Sequence, residues 1–433
     1  MKREEGLPIE DLETEKKVLE NGLTHSEDLG LDKDFTKKII NTLISESLKI
    51  QGLESQGRSK HLYGVFEKAN ELISKGKKLI RLEIGEPNFL CHPSVKEAAI
   101  EALKTNKKIG YVSSAGIIEL RENIAEKVNE SYGTSVSPNQ ILMTPGGKFG
   151  VFSGILTSIS EADRILLVEP YWPVYEECAI FARARIDRIH TVLDEEWRID
   201  LEEVEEAFET GTKLMVLCNP SNPTGKITAA DELEAIVELA NEKNVTILAD
   251  EVYDAYTFKP FRSILETECN NFIYIQSFSK RYGMTGWRVG YAVSDVNTVK
   301  RMQKVMQISA TCIPEFVQIA AIKALEIEDE ILKKYSEAMR NRVEIASRGL
   351  KSPSVSFKKP DGGMYVFPRG NVEGFDSREF AMKLLSEERV TVSPGLAFGE
   401  YPEHFRISLG GNEEDIREGI KRIVKMIEKW KIE

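Results

Sequence analysis

Residues Lys213–Lys226 read KLMVLCNPSNPTGK. Five apolar side chains follow the lysine without interruption, and the chain then changes abruptly to Asn, Pro, Ser, Thr and Gly, the residues that punctuate turns. A short apolar run bounded in this way predicts a strand buried on both faces, as in a parallel sheet. The pattern recurs on either side of this stretch. Further strands are expected at Ile141–Thr144 (ILMT), Arg164–Val168 (RILLV), Val245–Ala249 (VTILA), Phe272–Gln276 (FIYIQ) and Trp287–Val293 (WRVGYAV). Stretches of helical period and length, such as AADELEAIVELANEK over Ala229–Lys243, separate them. An α/β fold is expected, with a mostly parallel sheet covered by helices. After about residue 325 a long charged helix, Asp329–Arg348, leads into a smaller α+β region.

The strand ends carry the unusual residues. ILMT runs into Pro145-Gly146-Gly147-Lys148, RILLV into Glu169-Pro170-Tyr171-Trp172-Pro173, and KLMVLC into Asn219-Pro220-Ser221-Asn222-Pro223-Thr224-Gly225. VTILA ends in Asp250-Glu251-Val252-Tyr253, and FIYIQ in Ser277-Phe278-Ser279-Lys280, followed by Gly286-Trp287-Arg288. Each feature alone has a plain reading: a turn, a packed aromatic corner, a helix cap, a solvated lysine. Five of them at the ends of successive strands point instead to one ligand site, because loops and helix N-termini converge at the carboxyl edge of a parallel sheet.

The set comprises a glycine turn for phosphate, an aromatic plate, amide and phenol donors, a strand-end carboxylate and a lysine near an arginine. Pyridoxal phosphate chemistry requires this combination. A lysine amine joins the cofactor aldehyde and later moves a proton, while a carboxylate keeps the pyridine nitrogen protonated so that the ring withdraws electrons.

NPSNPTGK (Asn219–Lys226), DEVYDAY (Asp250–Tyr256) and SFSKRYGMTGWRVGY (Ser277–Tyr291) resemble the signature segments of class I/II aminotransferases. LEIGEPNF (Leu82–Phe89), GGMYVFP (Gly362–Pro368), SPGLAFG (Ser393–Gly399) and FRISLG (Phe405–Gly410) extend the resemblance over roughly residues 58–433. It implies the fold-type I pyridoxal phosphate architecture, with a large sheet domain of seven-stranded type over 101–330, an arm and part of the small domain over 53–100, and a small domain over 331–433. The resemblance makes Lys280 the Schiff-base lysine and proton shuttle, with Asp250 on the pyridine nitrogen. Asn222 and Tyr253 would reach the ring oxygen, and Trp172 would stack on the ring. Gly146, Gly147, Lys148, Ser277 and Arg288 would hold the phosphate, with Ser279 a further candidate. Tyr111, in GYVSSAG, would reach the phosphate of a neighbouring subunit, which implies a homodimer with shared sites. Arg406 would grip the substrate α-carboxylate against the Gly85 backbone.

Composition bounds the rest. The 433 residues include 58 Lys plus Arg against 70 Asp plus Glu, a net charge of −12. That balance argues against nucleic-acid and membrane-surface partners, which demand concentrated positive charge. No apolar run approaches the roughly 18 residues that span a bilayer. Five dispersed cysteines without a CxxC pair fit a reducing compartment, so a soluble cytoplasmic protein without a metal centre is expected.

Residues 1–56 stand apart, with eight basic and thirteen acidic residues. Phe35, Ile39, Leu43 and Ile40, Ile44, Leu48 recur at helical spacing behind a candidate cap at Asp32. The helix is expected to end near Gln51-Gly52. A linker over Gly52–Ser59 and a helix over Lys60–Ser74 follow. Residues 1–52 resemble the second and third helices of an all-helical chorismate mutase, placing Lys2, Asp11, Glu15, Ser47 and Gln51 at pocket positions. The family's arginine-bearing first helix is not represented ahead of Met1, and Thr14 replaces another usual arginine. The expectation is threefold: the start lies upstream, a separate chain supplies that helix, or the segment is a remnant with residual or absent mutase activity and a regulatory or scaffolding role. The activity expected of the whole is transfer of an amino group between an amino acid (aspartate, glutamate or aromatic) and a 2-oxo acid, in an aromatic biosynthetic setting. A C–S lyase of the same fold is the alternative.

Overall fold

Apolar runs become strands wherever turn residues bound them. The computed structural model describes residues 59–105, 108–327 and 329–430. The helical readings between Asp32 and Gln51, the mutase-like positions and the linker up to residue 58 lie outside the described residues; Ser59, read as the end of the linker, begins the next helix. After the helix Ser59–Ser74 come β1 (Ile80–Arg81), β2 (Ile141–Thr144), β3 (Arg164–Glu169), β4 (Arg185–His190), β5 (Thr212–Cys218), β6 (Thr246–Asp250), β7 (Phe272–Ser277) and β8 (Gly290–Val293). Seven of these form one sheet in the order β2-β8-β7-β6-β5-β3-β4, in which only β8 runs against the others.

Alternate residues of the central strands enter two different cores. Leu142, Leu167, Val216, Leu248 and Ile275 belong to one; Met143, Leu166, Leu217, Ile247 and Tyr274 belong to the other. Both faces are covered, and this explains the continuous rather than alternating apolar runs. The helix Gly147–Ser158 lies tight on the sheet, since a Cβ at Gly154 would come within 2.9 Å of Leu248.

Two sequence expectations need correction. β4 (RIDRIH) had not been anticipated. It is an edge strand whose charges reach solvent or pair locally, as in the Arg164–Asp187 bridge at 2.6 Å and Arg188–Glu176 at 2.5 Å, so no apolar run marks it. β8 begins at Gly290 rather than Trp287, because Thr285–Trp287 form a 3-10 turn and Arg288 is left-handed at φ 54°.

Beyond the helices Glu315–Leu325 and Asp329–Gly349 lie β9 (Val355–Ser356), β10 (Tyr365–Val366), β11 (Arg369–Gly370), β12 (Val390–Thr391), β13 (Ser393–Pro394) and β14 (Phe405–Ser408). β10, β14 and β13 form a three-stranded antiparallel sheet, and β1 returns from far upstream to pair in parallel with β12. That pairing brings the segment after β1 alongside β14 over the sheet ends. Among the described residues no helix is long and apolar enough to cross a membrane.

Candidate active site

The loops after β2, β3, β5, β6 and β7 enclose a cavity of about 370 Å³. Gly85, Gly147, Lys148, Trp172, Asn222, Asp250, Tyr253, Ser277, Ser279, Lys280, Arg288 and Arg406 all line it. Positions up to 321 residues apart in sequence are thus assembled at one place. Gly146 lies one residue outside the lining, against Arg288. Tyr111 is not among the lining residues; it is 88% exposed on its own chain.

Asp250 ends β6, and its carboxylate is buried. The Tyr175 hydroxyl donates to Oδ2 at 2.6 Å, while Oδ1 has no hydrogen-bond partner. Burial raises the carboxyl pKa to about 6, against the opposing pull of the Tyr175 hydroxyl, the Val252 backbone N–H and the Lys280 charge. An unsatisfied buried carboxylate oxygen is costly and calls for a donor from a ligand. The Tyr253 hydroxyl, three residues on, is 3.0 Å from the Tyr365 hydroxyl.

Lys280 stands on the single-turn helix Phe278–Arg281, which the Ser277 hydroxyl caps by accepting from the Ser279 N–H at 3.1 Å. Its Nζ donates to the Gly85 carbonyl. Burial lowers its pKa to about 8; Glu86 and Asp250 oppose the shift, and Arg406 and Arg288 reinforce it. About a tenth of the amine is therefore neutral at pH 7, far more than for a lysine at its ordinary value, and the neutral form is the one a nucleophile requires.

At the other end of the cavity, Gly146 precedes the helix Gly147–Ser158 at φ 79°, ψ 169°, a backbone region open essentially to glycine. The first N–H groups of that helix have no intrahelical acceptor. Arg288 is braced by the Thr285 carbonyl at 2.8 Å and the Pro145 carbonyl at 3.3 Å. Lys148 lies 5.2 Å from the Trp172 ring centroid, and its pKa is lowered by burial and then by Arg288. Free helix-end amides beside two mutually repelling cations suit a phosphate. Trp172 stands edge-on to Tyr175, with centroids 5.5 Å apart.

Arg406, in the middle of β14, is 3% exposed. Nη1 donates to Asn222 Oδ1 at 3.0 Å, and Nη2 to the Glu83 carbonyl at 2.7 Å and to Ser393 Oγ at 3.3 Å. Its guanidinium carbon lies 4.4 Å from the Tyr365 ring centroid and 4.9 Å from that of Phe398. Held between two rings, the fork has a fixed plane suited to a carboxylate.

Residues 77–423 match the family model of aminotransferase class I and II. The chain is a class I/II aminotransferase. Over 367 residues the aminotransferase is 35% identical to the aspartate aminotransferase of Thermococcus kodakarensis, an alignment that covers 85% of this chain and 92% of the relative. It is 32% identical over 366 residues to aromatic-amino-acid aminotransferase 2 of Thermococcus litoralis, covering 82% and 93%. The crystal structure of the Thermotoga maritima aspartate aminotransferase superposes with a TM-score of 0.80 at 32% identity, covering 85% of this chain and 97% of that one. Members of this family are generally pyridoxal phosphate-dependent. Residues 1–52 match the model of chorismate mutase type II.

Two tyrosines in this aminotransferase had not been anticipated from its sequence. Tyr175 stands three residues after Trp172, at the start of the helix Val174–Phe181, with its N–H donating to the Trp172 carbonyl at 3.1 Å, and that spacing was the available signal. Tyr365 lies within the quoted GGMYVFP segment, but its place beside Arg406, Tyr253 and Gly85 depends on the pairing of β10 with β14.

Proposed function

We propose that this aminotransferase uses pyridoxal phosphate to move an amino group between an amino acid and a 2-oxo acid. The observation that carries the reading is that Asp250, with Oδ1 unpartnered, and Lys280, with a depressed pKa, line one cavity from adjacent strand ends. When bound, the cofactor supplies an aldehyde that takes up an amine and a pyridine ring that withdraws electrons from the substrate α-carbon.

This chain's residues fit the group from end to end. Asp250 would accept from the ring nitrogen and hold its proton there. Asn222 and Tyr253 would meet the ring oxygen, and Trp172 would cover the ring face. Gly146, Gly147, Lys148, Ser277 and Arg288, with Ser279 beside them, would hold the phosphate. Lys280 Nζ would take and return the α-proton, the task to which a half-buried amine with a pKa of about 8 is suited. Arg406 binds the α-carboxylate with its fork and, with Gly85, orients the α-hydrogen toward Nζ.

Tyr111, highly exposed on its own chain, would complete the phosphate site of a second copy, making the working unit a homodimer in the cytoplasm. The substrate reading follows the relatives: aspartate or glutamate as donor and an aromatic 2-oxo acid as acceptor, in keeping with the mutase-like match over residues 1–52. The test is a half-reaction screen. Each of the twenty common amino acids is mixed with the cofactor-loaded protein, and loss of the visible cofactor band is recorded, followed by its return on adding 2-oxo acids. Acidic and aromatic amino acids should convert the band fastest. Release of ammonia, pyruvate and homocysteine from cystathionine, with no added 2-oxo acid converted to its amino acid, would replace transfer by elimination.

A further inference from the structure

Lys280 is carried by a helix of one turn, Phe278–Arg281. Such a turn does not support itself, because fixing the first hydrogen-bonded turn loses more conformational entropy than one bond returns. What holds it lies on the side away from the cavity. The Tyr256 hydroxyl, on a fully buried side chain, donates to the Lys280 carbonyl oxygen at 2.6 Å. The next side chain, Arg281, donates from Nη2 to Asp254 Oδ2 at 2.6 Å, and the Tyr132 hydroxyl donates to the same oxygen at 3.1 Å. Gly283 closes the turn at φ 62°, where a Cβ would lie 2.5 Å from the Phe89 carbonyl oxygen, so the exit is pressed against the segment that contains Gly85.

Asp254 and Tyr256 belong to the same seven residues as Asp250 and Tyr253, and they form a 3-10 turn directly behind them. One segment thus presents Asp250 and Tyr253 to the cavity and Asp254 and Tyr256 to the back of the lysine turn. Tyr256, Asp254 and Arg281 do not line the cavity, yet the three make directed, part-buried contacts on the peptide next to the reacting side chain.

We propose that Tyr256, together with the Arg281–Asp254 pair, is a positioning device for Lys280, fixing the peptide after its α-carbon and so the arc through which Nζ reaches the cavity. The inference rests on the reading of Lys280 as the reacting amine and adds the residues that aim it. A flexible side chain inherits every displacement of its own backbone, and an error of 1 Å in a reacting group costs on the order of a hundredfold in rate. Nζ also faces Glu86, Asp250, Arg288 and Arg406 and donates to the Gly85 carbonyl, so a shifted peptide changes its distance to all five.

The test uses Tyr256→Phe, which removes one hydroxyl and keeps the ring, and Arg281→Lys, which keeps the charge and loses the fork. In the full-length chain freed of cofactor, acetylation of Lys280 by acetic anhydride is followed against pH by peptide mass spectrometry. In the loaded chain, kcat and KM are measured with the fastest of the twenty common amino acids as donor. Tyr256→Phe should raise the Lys280 labelling midpoint above its starting value near 8, because a loosened amine samples more water. It should also lower kcat about tenfold with KM within twofold, short of the full loss for a 1 Å error. Arg281→Lys should move both readouts in the same direction, and it decides the matter alone if Tyr256→Phe does not fold. A wild-type labelling midpoint and kcat in either folded variant overturns the proposal, as does a drop in melting temperature unaccompanied by those changes. Retained transaminase activity in Lys280→Ala would instead overturn the catalytic reading of the lysine, while the labelling midpoint still decides whether Tyr256 positions it.

Discussion

The Tyr175 hydroxyl donates to Asp250 Oδ2 at 2.6 Å and leaves Oδ1 of the same buried carboxylate without a hydrogen-bond partner. One oxygen is satisfied by the protein; the other is the atom we propose to accept from the cofactor's ring nitrogen. The two atoms define both the role of the residue and its energetic cost.

That cost depends on pH. In the cofactor-free protein the folded-state pKa of Asp250, about 6, lies above its ordinary value of 3.8. Between those two values the folded state binds more protons than the unfolded one, so stability falls as pH rises through the window, and the loss is complete above about 6. Asp250→Asn, which never ionises, should therefore gain stability relative to the wild type on going from pH 4 to pH 8, by on the order of 3 kcal/mol. Denaturant melts at the two pH values measure it. On the proposed role of Asp250 the same variant should lose at least a hundredfold in transaminase rate, since the ring nitrogen would lack an anionic partner.

Lys280→Ala should abolish transfer, with a loss of roughly 10²–10⁴-fold or more from removal of the proton-moving group alone. Borohydride treatment of the loaded wild type should fix the cofactor to the peptide containing Lys280, and to no peptide of the variant. A label on another lysine would move the assignment there.

Arg406→Lys keeps a positive charge but cannot present two parallel N–H groups between the Tyr365 and Phe398 rings. Loss of one charge-assisted bond of about 1.5–3 kcal/mol corresponds to a tenfold to hundredfold fall in kcat/KM for amino and oxo acid alike. Steady-state kinetics in both directions check this. An effect confined to one substrate would exclude a shared α-carboxylate site.

Gly146→Ala places a Cβ 2.4 Å from Arg288 Nη2 on a backbone at φ 79°. The backbone strain should destabilise the protein by about 1–3 kcal/mol. Displacement of Arg288 should weaken cofactor binding as well, read by equilibrium dialysis against pyridoxal phosphate. Tyr111→Phe should weaken the same binding without lowering the melting temperature of the isolated chain, because its hydroxyl, highly exposed there, would act on a second copy.

The buried strands were legible because both of their faces are covered. In ILMT every residue is buried, and in KLMVLC only the leading lysine is exposed, so composition alone marks them. RIDRIH was not legible because an edge strand keeps its charges and satisfies them with neighbours such as Arg164 and Glu176. The long reading of β8 failed at Arg288, where a left-handed residue ends a turn that its apolar surroundings conceal. The cavity residues were legible as residue types at strand ends: Lys280, Asp250 and Asn222 each stand where a strand gives way to a turn.

Local sequence thus determined the buried strands, the turns that end them and the chemical groups those turns carry, because burial and turn formation act over a few neighbouring residues. Only the tertiary structure decided which groups meet. Tyr175 reaches Asp250 across 75 positions, Tyr253 reaches Tyr365 across 112, and Arg406 reaches Asn222 across 184. Those contacts arise from the crossover connections and from the pairing of β1 with β12 and β10 with β14, which no local pattern encodes. The identity of the reacting groups is written in the chain; their aim, and the pKa values that burial gives them, belong to the fold.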